Sequence, residues 1–417
     1  MESILEQICR PEAWEEFLAY RLRKGRFNWH GFEQADDFVA DGSYLPVAER
    51  YARGEPPSLP TRHLVNKTGA GRKRVVYSLP PDEMAVLKII AWMLYRYDAQ
   101  LPPGCYSFRR GLTAHDAVRR VVAAVAGRPM WAYKLDIHDY FNSISIPLLL
   151  PILREVLADD PPLYRFFEAL LADDRARTPD GALVRGPRGV MAGTPTSPFL
   201  ADIYLAEVDR HFADAGVVYA RYSDDILLFA PDRGALEEHI ATLAGFLEKY
   251  RLTVNPDKVR VYAPGEPFDF LGFKCLGDQI DIADATRRKM KDRIRRQARS
   301  LLRWRIRHGV DAGPAMKALI RYFNRKFFED EDPEALNWSR WFFPLINRTD
   351  GLREIDRYLQ QNLRYLATGR HNKANYRVRY AQLKELGYRS LVHEFYAYRE
   401  ERQATGRSTR PCTTGRD

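Results

Sequence analysis

The chain has 417 residues, 45% of them apolar, and a formal net charge of +10. This length suffices for two or three domains, and the positive charge predicts a polyanionic partner. No apolar run is long enough to span a bilayer, so no membrane partner is expected. Four scattered cysteines lack the paired spacing of a zinc site or a disulfide framework, which fits the reducing cytoplasm where we expect the protein.

Residues 1–60 predict an extension of short helices that ends at a proline-rich break. The segment HLVNKTGAGRKRVVYSLP (63–80) then predicts two strands joined by a turn at 68–71. Four basic residues surround this turn: Lys67, Arg72, Lys73 and Arg74. Cations at such a tip neutralise the charge that builds during phosphoryl transfer, so we expect them to bind a nucleotide triphosphate. A solvated basic turn is the alternative.

The segment YSFRRGLTAHDAV (106–118) predicts a loop followed by an amphipathic helix. Arg109 lies in the loop, where we predict contact with nucleic acid; a structural salt bridge is the alternative.

An apolar strand is predicted at Trp131–Leu135, and it ends at Asp136 within YKLDIHDYFNSI. The backbone carbonyl of Ile137 is a candidate additional metal ligand.

The segment VVYARYSDDILLFA (217–230) predicts a β-hairpin with Asp224 and Asp225 at its tip. Adjacent carboxylates repel each other unless a positive charge lies between them and a further acidic group. We therefore predict that Asp136, Asp224 and Asp225 converge as catalytic residues that bind two Mg²⁺ ions, which Mn²⁺ can replace. A solvated acidic turn is the alternative.

A Gly-rich loop is predicted to become a helix within GVMAGTPTSPFLADIYL (189–205), with Ser197 at the helix entry. Gly193 allows a close backbone approach to nucleotide or template. Residues 268–273 are predicted to form one strand. Residues 287–307 predict a basic amphipathic helix suited to a phosphate backbone. Its predicted nucleic-acid contacts are Arg287, Arg288, Arg295, Arg296 and Arg299.

Several of these blocks resemble, in order, those of bacterial reverse transcriptases of the group II intron and retron type. YSDD resembles the family's YxDD box, residues 189–205 resemble its QGxPTSPxLxNxxL segment, and TVNPDKVRVYAPGEPFDFLGFKC (253–275) resembles its lysine-bearing segment with the FLGF hairpin. Among such enzymes, the chain most resembles the compact, phage-defence-associated ones.

The resemblance implies further roles. Arg74 matches a phosphate-binding arginine of the fingers hairpin, and Lys258 matches a lysine near the nucleotide phosphates. Phe141 matches an aromatic ring beneath the nucleotide sugar, which selects deoxynucleotides because it leaves no room for a 2′-hydroxyl; core packing is the alternative. One departure is Ala192, which stands where the family has glutamine.

The expected fold is an α+β right-hand polymerase with an antiparallel palm sheet. The predicted divisions are an N-terminal helical extension (1–60), fingers and palm (61–282), a basic helical thumb (283–328) and a helical C-terminal segment (329–417). The expected activity is RNA-directed DNA synthesis from deoxynucleoside triphosphates. The expected partners are an RNA template and an RNA/DNA duplex, with a dedicated small non-coding RNA as template and a role in anti-phage defence. An RNA-making polymerase or primase, a non-catalytic RNA-binding scaffold and oligomerisation stay open.

Overall fold

In the computed structural model, the described residues are 2–23, 29–66, 73–329, 337–370 and 373–405, with the side chains at 29–32, 374 and 376 left out. The predicted turn residues Lys67 and Arg72 lie outside the described residues. The chain divides into two compact units, residues 1–266 and 267–417. Within the described ranges, no helix combines the length and the apolar character needed to cross a membrane. The predicted fourfold domain division stays a prediction.

The first unit contains four N-terminal helices, eight further helices and eight strands among the described residues. Its helices are α1 (Ile4–Gln7), α2 (Pro11–Arg23), α3 (Trp29–Ala40), α4 (Leu45–Ala52), α5 (Pro81–Met93), α6 (Ala114–Val125), α7 (Tyr140–Ser143), α8 (Ile146–Val156), α9 (Pro161–Ala172), α10 (Ser197–Tyr204), α11 (Ala206–Asp214) and α12 (Arg233–Lys249). Its strands are β1 (Thr61–Asn66), β2 (Lys73–Ser78), β3 (Trp131–Asp136), β4 (Arg175–Arg177), β5 (Leu183–Arg185), β6 (Tyr219–Tyr222), β7 (Asp225–Ala230) and β8 (Arg260–Tyr262). Short 3₁₀ helices cover Leu94–Gln100 and Pro256–Lys258.

The N-terminal helices are joined to the core by a buried carboxylate. Asp160 accepts hydrogen bonds from the Ser3 hydroxyl at 2.6 Å and from the Ile4 N–H at 2.8 Å. It also accepts the Leu163 N–H at 3.1 Å and so caps α9. One side chain therefore fixes the beginnings of two helices that are far apart in sequence.

The palm sheet is antiparallel, with strand order β6-β7-β3-β8. Its central strand β7 is buried from Ile226 to Ala230 because α12 covers one face with Leu236, Leu243 and Leu247. A second sheet, order β2-β1-β4-β5, contains the predicted hairpin β1–β2. Both the hairpin at 217–230 and the strand that ends at Asp136 are as predicted.

The second unit is mostly helical, with one small antiparallel sheet. Its strands are β9 (Phe268–Phe270), β10 (Phe273–Leu276) and β11 (Gln279–Ile282), and its helices are α13 (Asp284–His308), α14 (Ala312–Phe328), α15 (Trp338–Phe342), α16 (Asp350–Thr368), α17 (Tyr380–Glu385) and α18 (Leu391–Ala404), with a 3₁₀ helix at Lys373–Arg377. The single strand predicted at 268–273 is wrong. Leu271 and Gly272, with φ of 50° and 88°, turn the chain between β9 and β10.

The predicted basic helix is confirmed as α13, and it buries Met290, Ile294, Ala298 and Leu302 on one face. This face packs against α14 and α16. Together the two units make the predicted α+β class correct.

Candidate active site

The three predicted carboxylates meet where two palm strands end. Asp136, the last residue of β3, lies opposite Asp225, the first residue of β7. Asp224 precedes Asp225 in the two-residue loop of the β6–β7 hairpin, and its carbonyl accepts the Ile137 N–H at 2.9 Å. The antiparallel register thus places the carboxylates on one edge of the palm sheet, as the sequence predicts.

Burial and mutual repulsion raise the pKa values of two of these carboxyl groups. For Asp225, burial raises the pKa to about 6, Lys134 lowers it, and the neighbouring Asp224 and Asp136 raise it. For Asp224, burial and then Asp136 raise the pKa, whereas Lys258 and Arg74 lower it. The ionised carboxylates at this site are therefore costly by themselves, and nearby positive charge stabilises them.

Two lysines contact the carboxylates. Lys134 Nζ lies 3.3 Å from Asp225 Oδ2, and the ammonium of Lys258 pairs with Asp136. Lys258 was predicted to lie near the nucleotide phosphates, and this contact with a nucleotide stays a prediction. Lys134 was not among the predicted site residues. A sequence signal existed, because Lys134 and Asp136 are two residues apart on one strand and so project from the same face.

One carboxylate oxygen at this site lacks a hydrogen-bond partner among the described residues. Asp225 Oδ1 is buried and has no hydrogen-bond partner among the described residues. Such an oxygen is costly unless an ion or a donor satisfies it. The described ranges contain no group of three or more His, Cys, Asp or Glu side chains arranged to bind a metal. Instead, Lys134 pairs with Asp225 and Lys258 pairs with Asp136. The hard oxygen donors suit Mg²⁺, and Asp136, Asp224 and Asp225 are the residues that would bind it.

Ile137, the predicted backbone ligand, is buried immediately after Asp136. It forms an isolated antiparallel bridge with Val254. Its predicted contact with a metal stays a prediction.

A second acidic cluster lies buried beneath the hairpin. Both Arg221 and Asp209 are fully buried, and Arg221 donates to Asp209 through Nε at 2.8 Å and Nη2 at 2.5 Å. Asp202 Oδ1 lies 3.4 Å from Arg221 Nη1 and accepts the Ser107 hydroxyl at 2.6 Å. Burial raises the pKa of Asp202 to about 7, although Arg221 and Ser107 lower it. The predicted sites did not include this cluster, because its members come from distant segments.

Phe141 lies on α7 and is only partly buried. Its carbonyl accepts the Val190 N–H at 2.8 Å, and a Cβ on Gly189 would lie 2.1 Å from that oxygen. The Tyr140 hydroxyl donates to the Ala201 carbonyl at 2.6 Å. Glycine at 189 thus permits the loop to approach the backbone of Phe141, whose ring is the predicted gate against ribonucleotides.

The Asn142 side chain connects the Gly-rich loop with strand β2. Its amide nitrogen donates to the Val75 carbonyl and its oxygen accepts the Ala192 N–H, both at 3.2 Å. An amide is therefore present beside Ala192, although it belongs to another residue.

Gly193 and Ser197 organise this loop from within. Gly193 has φ of 106°, and a Cβ there would lie 2.8 Å from the Tyr77 carbonyl oxygen. Ser197 is buried and donates to the carbonyls of Val190 and Met191. The backbone of Gly193 thus approaches β2 closely. Contact of Gly193 or Ser197 with a nucleotide stays a prediction.

The remaining predicted cations differ in their surroundings. Lys73 and Arg74 are exposed at the start of β2, and Arg74 is near enough to lower the pKa of Asp224. Arg109 donates to the carbonyls of Pro102, Cys105 and Asp98, so its guanidinium holds its own loop together. Its predicted contact with nucleic acid stays a prediction.

The predicted arginines of α13 fall into two groups. Arg287 is half-buried and pairs with Glu354 at 2.8 Å, and Arg295 pairs with Asp292 at 2.7 Å. Arg295 is exposed as well, but Arg288, Arg296 and Arg299 are exposed and form no ion pair within the described ranges. This second group is the better candidate for contact with a phosphate backbone.

Comparison with known families identifies the domain that carries these carboxylates. The family model described as reverse transcriptase (RNA-dependent DNA polymerase) matches residues 65–275, about half of the chain. The chain belongs to the reverse transcriptase family. This membership confirms the resemblance to reverse transcriptases drawn from the sequence and, with the antiparallel palm sheet, the predicted right-hand polymerase fold. The phage-defence-associated subgroup stays a prediction.

Individual relatives match over shorter stretches. The chain is 28% identical over 177 residues to the retron Mx65 reverse transcriptase of Myxococcus xanthus, covering 40% of this chain and 41% of that protein. It is 26% identical over 211 residues to protein YkfC of Escherichia coli strain K12, covering 41% of this chain and 54% of YkfC. The chain thus matches about half the length of these curated relatives or less. The retron relative agrees with the predicted bacterial retron-like class.

Solved structures of telomerase from Candida are also similar. A truncated apo telomerase from Candida tropicalis gives a TM-score of 0.43 at 13% identity, covering 54% of this chain and 55% of that one. Telomerase from Candida albicans with a fragment of telomeric RNA gives a TM-score of 0.42 at 13% identity, covering 91% of this chain and 71% of that one. Scores this low carry no weight for function.

Proposed function

We propose that this chain is an RNA-directed DNA polymerase that works by two-metal nucleotidyl transfer. The observation that carries the proposal is the convergence of Asp136, Asp224 and Asp225 at one sheet edge of a reverse transcriptase domain, where Asp225 Oδ1 has no hydrogen-bond partner among the described residues. When bound, divalent ions stabilise the attacking and leaving oxygens of the displacement. Mg²⁺ is the expected ion, and Mn²⁺ is expected to replace it.

The residues of this chain prepare the site in four ways. The carboxylates provide hard oxygen ligands, and the low-dielectric surroundings strengthen their interaction with cations. Lys258 pairs with Asp136, so its ammonium lies beside the carboxylates, where it would bind the nucleotide phosphates. Arg74 lies on β2, the strand that follows the fingers turn, and its charge acts on the same site. Phe141 excludes the 2′-hydroxyl of ribonucleotides.

Primer extension on a defined RNA template tests this proposal. The wild-type protein should extend a DNA primer with deoxynucleotides and Mg²⁺ and should stop in excess chelator. The Asp224→Asn/Asp225→Asn variant should make no product while it keeps its far-ultraviolet circular dichroism. Preference for ribonucleotides would instead support an RNA-making polymerase. Full biological effect in the double variant would support a non-catalytic scaffold.

We further propose that the exposed arginines of α13 hold the RNA/DNA duplex. Replacing Arg288, Arg296 and Arg299 by glutamine should flatten the slope of log affinity against log salt by about 2–3, since each phosphate contact contributes about 0.9. Arg305 is the matched control, because it donates to the backbone carbonyls of Leu366 and Ala367. An unchanged slope in the triple variant would contradict duplex binding by this face.

We also propose a dedicated small non-coding RNA as template, in anti-phage defence. The likeness to a retron reverse transcriptase supports this. Sequencing the RNA and DNA that co-purify with the protein should recover one abundant RNA and its complement. A diverse RNA pool would contradict a dedicated template. Phage plaque counts that are equal with wild-type protein and with the Asp224→Asn/Asp225→Asn variant would contradict a catalytic role in defence.

A further inference from the structure

Phe108 is an aromatic residue in an unusual backbone conformation beside the candidate active site. Its φ is 50°, in the left-handed region that a bulky side chain seldom adopts, and its side chain is 39% exposed. Such a conformation costs on the order of 1–2 kcal/mol and persists only where surrounding contacts impose it. An exposed phenylalanine held in this way has a purpose beyond filling the core.

The contacts that impose the conformation lie on both sides of Phe108. Before it, the Ser107 hydroxyl donates to Asp202 and accepts the Ser223 N–H at 3.0 Å, and the Tyr106 N–H donates to the Arg221 carbonyl at 2.9 Å. The carbonyl of Gly104 also accepts the Arg221 N–H at 2.7 Å. This side of the loop is therefore tied directly to the catalytic hairpin.

After Phe108, the chain is fixed by Arg109 and Arg110. The Arg109 guanidinium donates to two carbonyls of its own loop and to the carbonyl of Asp98 in the preceding 3₁₀ helix, and the Arg110 N–H donates to the Asp98 carboxylate at 2.6 Å. The backbone at Phe108 thus has little freedom to move.

The Phe108 ring contacts two aromatic residues that lie close in sequence to the catalytic carboxylates, Phe141 and Tyr222. It stands edge-on to Phe141, with centroids 6.3 Å apart and planes at 74°, and lies 6.2 Å from Tyr222. Tyr140 contacts Phe141 at 5.9 Å. The partly buried Phe141 ring therefore has aromatic neighbours in Tyr140 and Phe108.

We propose that Phe108 is a specificity-determining residue that holds the Phe141 ring in place, with Ser107 as the positioning residue that joins this support to the catalytic turn. The inference rests on the proposed DNA synthesis and on Phe141 as the gate. A gate excludes a 2′-hydroxyl only if its ring cannot shift away from it. A rigid neighbour held in a costly backbone conformation supplies that resistance.

Single-nucleotide insertion on an RNA template tests the inference, with kcat/KM measured for a deoxynucleotide and for its ribonucleotide. Phe108→Ala should lower the discrimination about 3- to 10-fold, the range expected for loss of one aromatic pair. Phe108→Tyr retains the ring and should restore discrimination. Phe141→Ala should lower it further, and Phe108→Ala/Phe141→Ala should discriminate no worse than Phe141→Ala alone, because Phe108 acts through Phe141.

Two outcomes overturn the inference and leave the proposed function intact. One is wild-type discrimination in Phe108→Ala while Phe141→Ala loses it. The other is an equal loss from Phe108→Ala with and without Phe141, which means that the two rings act independently. If Phe108→Ala does not fold, Phe108→Leu keeps the bulk without the ring, and wild-type discrimination by that variant overturns the inference. A wild-type protein that prefers ribonucleotides refutes the proposed function, and this inference with it.

Discussion

Two acidic clusters lie close together in this protein, and they differ in how their charge is balanced. In the buried cluster, Asp209 receives two donors from Arg221 and a third from the Tyr219 hydroxyl at 2.9 Å. In the catalytic cluster, Asp225 Oδ1 has no partner in the described structure, and its other oxygen has only the 3.3 Å contact with Lys134. Asp202 Oδ2 in the buried cluster also has no hydrogen-bond partner among the described residues, so an unsatisfied oxygen alone does not separate the clusters. They differ in their cations: the fully buried Arg221 pairs with Asp202 and Asp209, whereas Lys134 and the exposed Lys258 pair with the catalytic carboxylates.

The largest expected effect separates the two clusters by activity. Asp225→Asn should lower DNA synthesis by at least about 1000-fold, because removing a metal-binding charge costs several kcal/mol of transition-state stabilisation. Asp202→Asn keeps the oxygen that accepts the Ser107 hydroxyl, so it should lower synthesis less than about tenfold. Steady-state primer extension measures both. Equal losses would show that the clusters do not differ in this way.

The next effect separates the carboxylates within the buried cluster. Asp209→Asn should destabilise the fold by about 3–5 kcal/mol, because it leaves the buried Arg221 without its main counter-charge. Asp202→Asn should not lower the free energy of unfolding at pH 7, because burial raises the pKa of this carboxyl to about 7 and the neutral amide avoids the cost of the buried charge. Urea unfolding measures both variants. Matching losses would contradict the assignment of Arg221 to Asp209.

Much of this comparison was predictable from sequence, and its limits have physical causes. Strand ends in antiparallel register bring Asp136 and Asp225 together, so alternating apolar runs suffice to predict the site. The Arg221 cluster depends on contacts between residues 107, 202, 209 and 221, for which no local pattern exists. Arg109 shows the same limit: an exposed-looking basic loop gives no sign that its guanidinium bonds to nearby carbonyls. The turn at Leu271–Gly272 lies in the FLGF segment that the family resemblance marks as a hairpin, but the run of aromatic residues at 268, 270 and 273 was interpreted as one continuous strand.

A smaller effect is a gain in stability from the same substitution that abolishes activity. In chelator, Asp225→Asn should stabilise the protein by about 1–3 kcal/mol at pH 7, because burial makes the ionised carboxylate costly. The folded pKa of about 6 exceeds the ordinary value of 3.8, so the folded state binds more protons between these values. Wild-type stability therefore falls across this interval as pH rises, and the variant should lack this component. Thermal unfolding in chelator measures this difference. A lower unfolding temperature in the variant than in the wild type would contradict the prediction.

The smallest expected effect concerns the pH profile. Lys258 and Arg74 lower the pKa of Asp224, so Lys258→Met should move the acidic limb of the activity profile to higher pH. Lys258→Arg keeps the charge and is the control. A limb that stays in place in Lys258→Met would mean that Lys258 does not act on Asp224 during synthesis.

The central claim is that the catalytic carboxylates bind divalent cations and the buried ones do not. Mn²⁺ titration followed by electron paramagnetic resonance tests it most directly, on wild-type protein, Asp224→Asn/Asp225→Asn and Asp202→Asn. We predict saturable binding in the wild type and in Asp202→Asn, and loss of that binding in the double variant. Equal Mn²⁺ binding by the wild type and the double variant would contradict the claim.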